Sequence, residues 1–314
     1  MVNCLVTGGA GFIGSNLAER LINDGHSVTI LDNLSTGKIE NIKDFIKDVS
    51  FLAGDITNLS DCKLACKDID IVFHQAALGS VPRSVDNPIA SNKANVDGTL
   101  NMLYAAKEKN VKRFIYAGSS SAYGDNPSLP KKEDMVLSPI SPYAISKLTG
   151  EYYCRVFYKE YGLETISLRY FNVFGPRQDP GSQYSAVLPA FITAVLDNVC
   201  LEIYGDGEQT RDFSHIDNVV EANVLAAITE KTLTGETVNI ACGQRVSLNE
   251  IIEKLEKIFD KKIDVGYGEK RKGDVEHTLA SIDKAEKIIG YKPSVFFDEG
   301  LIRTVKWYED QKSH

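Results

Sequence analysis

Short apolar runs alternate with stretches of helical periodicity through the first half of the chain. Six runs predict strands, at residues 1–7, 27–31, 49–53, 70–74, 112–118 and 164–169. The longest helical patterns between them cover 89–109 and 142–161. Strands that alternate with helices are typical of a parallel sheet, because right-handed crossovers carry the chain across it between neighbouring strands. The pattern therefore predicts an α/β fold with a doubly wound parallel sheet, covered by helices on both faces.

The regular alternation ends after the sixth run, where longer irregular stretches separate shorter elements. One later helix is well signalled, because Ser247 can cap it, Glu250 completes a capping box and apolar residues follow at helical spacing. The change of pattern predicts a first domain at 1–170 and a smaller α/β domain at 171–314. A return of the segment near 215–240 to the first domain stays open.

Composition excludes several classes of function. The chain has 314 residues, 43% apolar residues, 25% charged residues and a net charge of −8, as in an ordinary soluble globular protein. The acidic excess argues against a general nucleic-acid or membrane-surface role. No apolar run reaches the roughly 18–20 residues that span a bilayer. Because the N-terminus enters a strand at once, we expect no signal peptide.

Six cysteines and five histidines are scattered along the chain without a metal-site pattern. Cys62 and Cys66 are helically spaced, but no second pair or histidine follows at the spacing of a zinc site. We therefore expect buried thiols, no metal, and a reduced cytoplasmic protein.

A glycine-rich turn joins the first strand to the first helix. Its sequence, GGAGFIG at residues 8–14, places glycines at positions 8, 11 and 14. Such a turn lets the backbone approach a pyrophosphate, to which the helix N-terminus offers N–H donors and partial positive charge. An ordinary tight turn would also use glycine. The strand before it, the helix after it and a later acid favour a dinucleotide site.

That acid is Asp32, which ends the second strand about 20 residues past the glycine turn. A carboxylate there accepts hydrogen bonds from adenosine ribose hydroxyls and repels a 2′-phosphate, whereas the alternative role is a turn cap. The sequence thus predicts NAD rather than NADP. Asp55, just past the third strand, either faces an adenine amino group or caps the following helix.

Tyr143 and Lys147 stand four residues apart, on one face of a predicted helix and about 6 Å from each other. A free phenol, with a pKa of about 10, is a poor base at neutral pH. A nearby ammonium and a bound nicotinamide cation would both favour the phenolate. The pair follows a serine run at residues 119–121, which ends the fifth strand. This combination is far more specific than a YxxxK motif alone.

Together these motifs resemble the signature of the extended short-chain dehydrogenases/reductases: GxxGxxG, a strand-end Ser or Thr, and YxxxK. The similarity covers essentially the whole chain and implies a Rossmann-type domain that binds NAD. It implies that Tyr143 is the catalytic acid/base, that Ser119 completes its hydrogen-bond network, with Ser120 as the alternative, and that Lys147 assists. The implied cofactor contacts are Gly8, Gly11, Phe12, Ile13, Asp32, Asn33, Ser35, Thr36, Gly37, Asp55, Ile56, Gln75, Ala76, Ala77, Asn95, Tyr143, Lys147, Tyr170 and Val173.

The second half of the chain is similar to sugar-nucleotide enzymes. The resemblance of residues 170–177, YFNVFGPR, implies that the asparagine meets a diphosphate, and Arg211, Arg271 and Asp274 match residues on phosphate and uridine ribose. Guanidinium groups suit a diphosphate well, although surface ion pairs are the alternative for these arginines. The implied substrate contacts are Gly79, Ser80, Ser119, Ser120, Tyr143, Asn172, Ala186, Val187, Tyr204, Arg211, Arg271, Asp274 and Thr278.

Within this group the loop at 75–84, QAALGSVPRS, resembles that of UDP-N-acetylglucosamine 4-epimerases. At the family position that aligns with Thr278, a large tyrosine can exclude an N-acetyl group from the substrate pocket. Ala186 should line the same pocket. The resemblance thus implies interconversion of UDP-GlcNAc and UDP-GalNAc, extending to UDP-Glc and UDP-Gal, through a transient 4-keto sugar and NADH. Dehydratases carry Thr-Asp-Glu where this chain has its serine run. A UDP-glucuronic acid epimerase or decarboxylase and a non-enzymatic NAD sensor are the alternatives.

The resemblance also implies a homodimer through a four-helix bundle built from the 89–109 and 142–161 helices. Both helices carry apolar residues in more than one direction, namely Leu100, Leu103, Leu148, Tyr152 and Val156. The second apolar stripe could instead pack beneath the C-terminal domain. We expect a UDP-sugar as the small-molecule partner, and neither nucleic acid nor a membrane.

Overall fold

A seven-stranded parallel sheet lies at the centre of the computed structural model, which describes residues 1–180, 187–269 and 276–312. The strands are β1 (Asn3–Thr7), β2 (Ser27–Asp32), β3 (Val49–Ala53), β4 (Ile71–His74), β5 (Arg113–Ser119), β6 (Glu164–Tyr170), β7 (Val173–Phe174), β8 (Leu201–Tyr204), β9 (Thr210–Arg211), β10 (Ser214–His215), β11 (Thr234–Ile240), β12 (Val246–Ser247) and β13 (Val265–Gly268). The order in the central sheet is β11-β6-β5-β4-β1-β2-β3. The predicted doubly wound parallel sheet is confirmed.

Helices cover both faces of this sheet. The helices of the described residues are α1 (Phe12–Asn23), α2 (Leu59–Ala65), α3 (Val81–Asp86), α4 (Pro88–Asn92), α5 (Gly98–Glu108), α6 (Pro142–Tyr161), α7 (Val187–Asp197), α8 (Ile216–Ile228), α9 (Leu248–Phe259), α10 (Asp283–Ile289) and α11 (Phe297–Lys312). Short 3₁₀ turns occupy Ile39–Asn41, Ile46–Asp48 and Ser120–Tyr123, and a π-helical turn occupies Lys93–Asp97. None of the helices in these described parts is long and apolar enough to cross a membrane.

Alternating side chains of each central strand enter two separate cores, because successive residues point to opposite faces. Val6 packs with α1 and α8 on one face, and Leu5 packs with α2, α5 and α6 on the other. Both side chains are fully buried. Burying an aliphatic side chain of this size contributes about 1.5–3 kcal/mol, so these two layers fix the sheet on which the site is built.

The helix that carries the YxxxK motif has clear start and stop signals. Ser141 caps α6 by accepting a 3.1 Å hydrogen bond from the Ala144 N–H, and Pro142 takes the first helical position. Gly162 ends the helix with φ of 73°, in the left-handed region that favours glycine. These ends agree with the predicted range of 142–161.

The predicted helix at 89–109 differs from a regular α-helix. It consists of α4, the π-helical turn and α5 in succession. A Cβ on Gly98, where α5 begins, would lie 2.6 Å from Ile56 Cδ1, so the helix approaches the loop after β3 closely. Such π turns are frequent at functional sites, and this one lies beside the cavity described below.

Beyond β6 the chain builds a smaller unit from three two-stranded sheets and the helices α7, α9 and α11. The capping box predicted for α9 is present, with hydrogen bonds between Ser247 and Glu250 in both directions. The segment that contains α8 and β11 returns to the central sheet, because α8 packs on α1 and β11 pairs with β6. The chain therefore crosses the predicted boundary near residue 170 several times, since α10 also packs in the core of the central sheet.

All six cysteines are free thiols, of which five are buried and Cys200 is exposed. Among the residues that the structure describes, no group of three or more His, Cys, Asp or Glu side chains could hold a metal ion.

Candidate active site

A cavity of about 500 Å³ opens at the carboxyl ends of the central strands. It lies where the strand order reverses, with β1, β2 and β3 on one side and β4, β5 and β6 on the other. Ligands of open α/β sheets bind at such a switch point, because the loops that follow the two neighbouring strands diverge there.

The glycine turn forms the floor of this cavity. Gly8 has φ of 67°, and a Cβ on it would lie 2.8 Å from the backbone of Ala76. A Cβ on Gly14 would overlap the carbonyl oxygen of Gly8. Gly11, at the N-cap of α1, has no side chain with which to cap the helix. The first N–H groups of α1 therefore remain available to a ligand phosphate. The turn thus requires glycine at positions 8 and 14 and leaves room for an anion at the start of α1.

Asp32 ends β2 at the edge of this cradle and is nearly buried. Its Oδ2 accepts a 2.9 Å hydrogen bond from the Ala10 N–H, and its Oδ1 accepts a 2.8 Å hydrogen bond from the Leu34 N–H. A carboxylate has about four acceptor sites, so acceptor capacity remains for ribose hydroxyls. Asp32 therefore fixes its own loop and also lines the cavity, and its contact with an adenosine ribose stays a prediction.

Asp55 lies beside Asp32 at the same end of the cavity. It does not cap the following helix, because Asn58 is the N-cap of α2. Although burial opposes the shift, hydrogen bonds from Thr57 and Asn33 hold the pKa of the Asp55 carboxyl below its usual range. Asp55 is thus an ionised acceptor that faces the cavity.

Nearly all of the predicted cofactor contacts line this cavity: Gly8, Gly11, Phe12, Ile13, Asp32, Asn33, Ser35, Thr36, Gly37, Asp55, Ile56, Gln75, Ala76, Ala77, Tyr143, Lys147 and Tyr170. Lys93 and Ala94 line it as well and were not predicted. They belong to the π-helical turn, which the apolar periodicity does not reveal.

Asn95 and Val173 are the two predicted cofactor contacts that do not line the cavity. Asn95 is buried behind its wall, where Oδ1 accepts the Leu78 N–H at 2.8 Å and Nδ2 donates to Ser146 Oγ at 3.0 Å. It therefore ties the loop after β4 to helix α6. Val173 lines a second cavity instead, because it begins β7 beyond the end of the central sheet.

Lys147 lines the cavity and is only 4% exposed. Its Nζ donates a 2.8 Å hydrogen bond to the carbonyl oxygen of Ala117 and lies 5.0 Å from the centre of the Tyr116 ring. Burial lowers the pKa of the Lys147 ammonium to about 8. The position of the Lys147 amino group is thus fixed, but whether this group is protonated near neutral pH depends on the groups around it.

Tyr143 lies one helical turn before Lys147 and faces the cavity. Burial raises the pKa of its phenol, and a hydrogen bond from Ser119 opposes that shift. Ser119 Oγ also lies 2.8 Å from Ser121 Oγ and accepts the Ser121 N–H. Ser119, at the end of β5, is therefore the serine that faces the tyrosine, whereas Ser120 begins the 3₁₀ turn.

Three side chains from distant parts of the chain form a closed hydrogen-bonded set at the cavity wall. The Tyr170 hydroxyl donates to Gln75 Oε1 at 3.2 Å and accepts from Asn223 Nδ2 at 2.8 Å. Gln75 Nε2 donates to Asn223 Oδ1 at 3.0 Å. Burial raises the pKa of Tyr170 to about 12, so this phenol stays neutral and does not compete with Tyr143 as a base. Sequence reasoning missed Asn223, which comes from the returning helix α8.

A second cavity, of about 340 Å³, lies in the smaller unit. Four predicted substrate contacts line it, namely Asn172, Val187, Tyr204 and Arg211. Gln209 and Glu202 also line it and were not predicted. Gln209 Nε2 donates to the carbonyl oxygen of Tyr204 at 2.8 Å, and the Tyr204 hydroxyl donates to Glu202 Oε2 at 3.0 Å.

Thr278 lies behind Asn172, outside the walls of both cavities. Its Oγ1 accepts hydrogen bonds from Asn172 Nδ2 at 3.2 Å and from the Asp212 N–H at 3.1 Å. Asn172 Nδ2 also donates to the carbonyl oxygen of Asp212 at 3.1 Å. Thr278 thus supports the asparagine, and its predicted gating role stays a prediction.

Gly79 lines the first cavity, whereas Ser80 does not. Ser80 has φ of 96° and caps α3, where its Oγ accepts a 3.3 Å hydrogen bond from the Arg83 N–H. Three predicted substrate contacts, Ala186, Arg271 and Asp274, lie outside the described residues.

Comparison with known proteins gives consistent matches over the whole chain. The model of the NAD dependent epimerase/dehydratase family matches residues 4–241. A putative UDP-glucose 4-epimerase of Methanocaldococcus jannaschii is 38% identical over 98% of this chain and 98% of that protein. The solved structure of a UDP-N-acetylglucosamine 4-epimerase from Methanobrevibacter ruminantium, in complex with UDP-N-acetylmuramic acid, is 43% identical, covers 99% of both chains and has a TM-score of 0.94. A UDP-glucuronic acid 4-epimerase from Bacillus cereus, solved with UDP-glucuronic acid and NAD, is 34% identical, covers 98% and 99% of the two chains and has a TM-score of 0.91.

Proposed function

The chain belongs to the NAD-dependent epimerase/dehydratase family, and we propose from this that it is a UDP-hexose 4-epimerase. The proposed reaction interconverts UDP-GlcNAc and UDP-GalNAc and extends to UDP-Glc and UDP-Gal. One observation carries the proposal: Tyr143 and Lys147, one helical turn apart on α6, both line the cavity of about 500 Å³, and Ser119 at the end of β5 lies near the Tyr143 phenol. The similar UDP-N-acetylglucosamine 4-epimerase supports the acetylated substrates.

The first cavity fits NAD in size and in its polar groups. The glycine turn leaves room for a pyrophosphate beside the uncapped N–H groups of α1. Asp32 stands where it can accept from an adenosine ribose, and Asp55 stands beside it as a second acceptor. When bound there, NAD supplies the acceptor for the hydride at C4 of the sugar and the source of its return.

Tyr143 moves the proton in the proposed reaction. As phenolate it takes the proton of the sugar 4-hydroxyl, partly through Ser119, and as phenol it returns a proton to the same oxygen on the other face of the sugar. Burial raises the pKa of Tyr143, so the phenolate requires positive charge close by. The Lys147 ammonium provides it from one helical turn away. Positioned acid–base catalysis of this kind contributes about 10²–10⁴-fold.

The second cavity is suited to the nucleotide end of the substrate. Arg211 offers a guanidinium to the diphosphate, and Asn172 lines the same cavity. A diphosphate held there would keep the 4-keto sugar tethered while the sugar turns its other face to the cofactor. The same tether would prevent loss of the oxidised intermediate.

Incubation with UDP-GlcNAc, UDP-Glc and UDP-GlcA in parallel, followed by chromatography of the sugar nucleotides, tests the proposal. We expect the 4-epimer of each accepted substrate, without CO₂ and without accumulation of NADH. Exclusive turnover of UDP-GlcA would replace the proposal with a uronic-acid epimerase, an activity that the similar Bacillus cereus enzyme carries in its name. Release of CO₂ would indicate a decarboxylase.

We also propose that the chain forms a homodimer through the exposed side of α3, α4 and α6. Five apolar side chains that are 47–79% exposed lie there, namely Val85, Ile89, Ile145, Tyr152 and Val156. Apolar groups on adjacent helices favour an interface. Two residues that the sequence suggested for this surface are excluded from it, because Leu103 and Leu148 are buried in the chain itself.

A further inference from the structure

A buried ion pair lies behind the proposed catalytic residues. Glu151, on α6, and Arg169, on β6, are 4% and 3% exposed. Arg169 Nη2 donates to Glu151 Oε2 at 2.6 Å, and Arg169 Nε lies 2.9 and 3.1 Å from the two carboxylate oxygens. Taking two charges out of water carries a desolvation penalty that an apolar pair of the same size would avoid. The pair therefore calls for a role beyond stability.

The pair contacts the strand end that carries Ser119. A Cβ on Gly118, the residue before Ser119, would lie 3.1 Å from Glu151 Oε1. The guanidinium of Arg169 lies 4.8 Å from the centre of the Tyr123 ring, which closes the 3₁₀ turn after Ser119. The ion pair thus connects α6, which carries Tyr143 and Lys147, with the end of β5.

Glu151 also stands one helical turn after Lys147. The other titratable groups that face this lysine are Tyr143 and Cys154 on its own helix, His74 on β4 and Tyr116 on β5. Burial lowers the pKa of His74 to about 3 and raises the pKa of Tyr116 and Cys154, so these three groups are neutral.

Burial raises the pKa of the Glu151 carboxyl group, but the bidentate contact with Arg169 opposes that shift and favours the carboxylate. The carboxylate in turn opposes the effect of burial on Lys147. Among the described groups that face Lys147, Glu151 is therefore the anion that acts against loss of the ammonium proton.

We propose that Glu151, held by Arg169, is a positioning residue that keeps the Lys147 ammonium charged beside Tyr143. The proposal extends the proposed epimerase function. It rests on that function only in one respect, namely that Tyr143 needs the Lys147 charge for proton transfer. Arg169 holds the Glu151 carboxylate in place. The absence of a side chain at Gly118 lets this carboxylate lie close to the strand end that carries Ser119.

Glu151→Gln tests this charge, because it keeps the side-chain length and an oxygen acceptor for Arg169. We would titrate the NAD-loaded protein labelled with ¹³Cε-lysine by NMR, using Lys147→Arg to assign the signal. The midpoint of Lys147 should fall by about 1 pH unit or more in Glu151→Gln. The alkaline limb of kcat should move to lower pH by a similar amount, with KM for UDP-GlcNAc within about twofold of wild type. An unchanged NMR midpoint would overturn the proposal.

Glu164→Gln is the matched control, since Glu164 pairs with Arg113 at the opposite end of β5 and β6, with Arg113 Nη2 2.6 Å from Glu164 Oε2. It should leave the midpoint of Lys147 unchanged, and an equal fall would show a general loss of structure and refute the proposal. Glu151→Asp keeps the charge and should retain a midpoint closer to wild type than Glu151→Gln does. Equal midpoints in the Asp and Gln variants would assign the effect to shape and also refute it.

The double variant Glu151→Gln/Arg169→Gln removes both buried charges and serves where Glu151→Gln alone unfolds. Its midpoint is compared with that of Arg169→Gln, which removes the cation alone: a lower midpoint in the double variant supports the role of the Glu151 charge, whereas equal midpoints contradict it. The NMR titration needs no UDP-sugar, so it fails or succeeds independently of the turnover assay that tests the epimerase.

Discussion

Asn223 on α8 donates a 2.8 Å hydrogen bond to the hydroxyl of Tyr170 at the end of β6. Both side chains are buried, and Asn223 also accepts from Gln75, which follows β4. The helix that returns from the second half of the chain thereby fixes two side chains of the cavity wall. The wall of the first cavity is thus supported from behind by a residue that lies beyond the six consecutive strands of the first half.

Asn223→Leu should therefore destabilise the protein and weaken its hold on NAD. The change removes the acceptor of Gln75 Nε2 and one of the two hydrogen bonds of the buried Tyr170 hydroxyl, which costs about 1–3 kcal/mol. Urea unfolding gives the change in the free energy of unfolding, and the cofactor content of the purified protein gives the effect on the cavity. Tyr170→Phe removes one hydroxyl of the same set and should produce a smaller loss in both measurements. A stability equal to that of wild type would show that the set contributes nothing.

Tyr143→Phe should reduce turnover by about 10²–10⁴-fold, because it removes the proposed acid/base. The fold and NAD binding should persist, since the ring still fills its place on α6. Turnover is measured by chromatography, and binding by the NAD content of the purified protein. Tyr152→Phe on the exposed side of the same helix is the control and should retain activity. Activity of Tyr143→Phe within a few-fold of wild type would refute the assignment.

The elements and motifs that were predicted correctly are those with local signals. The six strands, the glycine turn and the capping box of α9 each depend on residues within one short window. The π-helical turn at Lys93–Asp97 escaped notice, because one wide turn hardly changes the apolar periodicity of the long helix.

The contacts that the sequence did not reveal join distant residues. Asn223 meets Tyr170 across 53 positions, and Thr278 meets Asn172 across 106. Arg169 and Glu151 face each other only because β6 lies under α6. Such pairings depend on tertiary packing, which no residue spacing along the chain encodes.

Stripped enzyme should recover activity with NAD and not with NADP. Asp32 is held by the N–H groups of Ala10 and Leu34, so its carboxylate cannot easily swing away from a 2′-phosphate. Reconstitution with each cofactor, followed by the epimerase assay, measures the preference. Equal recovery with the two cofactors would exclude this role of Asp32.

In solution the protein should have twice the chain mass of 34.6 kDa. Light scattering at micromolar concentration measures it. Tyr152→Glu places a charge on the exposed apolar side of α6 and should shift the protein towards the monomer. Tyr267→Glu, on the exposed β13 of the smaller unit, is the control and should leave the mass unchanged. A wild-type protein that is monomeric at this concentration would contradict the proposed interface.

Substrate size provides the last test, and it concerns Thr278. Excluding an acetamide requires bulk, whereas accepting one needs only an open space, so Thr278→Tyr should depress kcat/KM for UDP-GlcNAc relative to UDP-Glc by about tenfold or more. The same change also removes the hydroxyl that Asn172 and the Asp212 N–H contact. Thr278→Val is the matched control, since it loses the hydroxyl without adding bulk, and it should lower kcat/KM for both substrates alike. An equal effect of Thr278→Tyr on both substrates would assign Thr278 to the support of Asn172 and remove it as the gate.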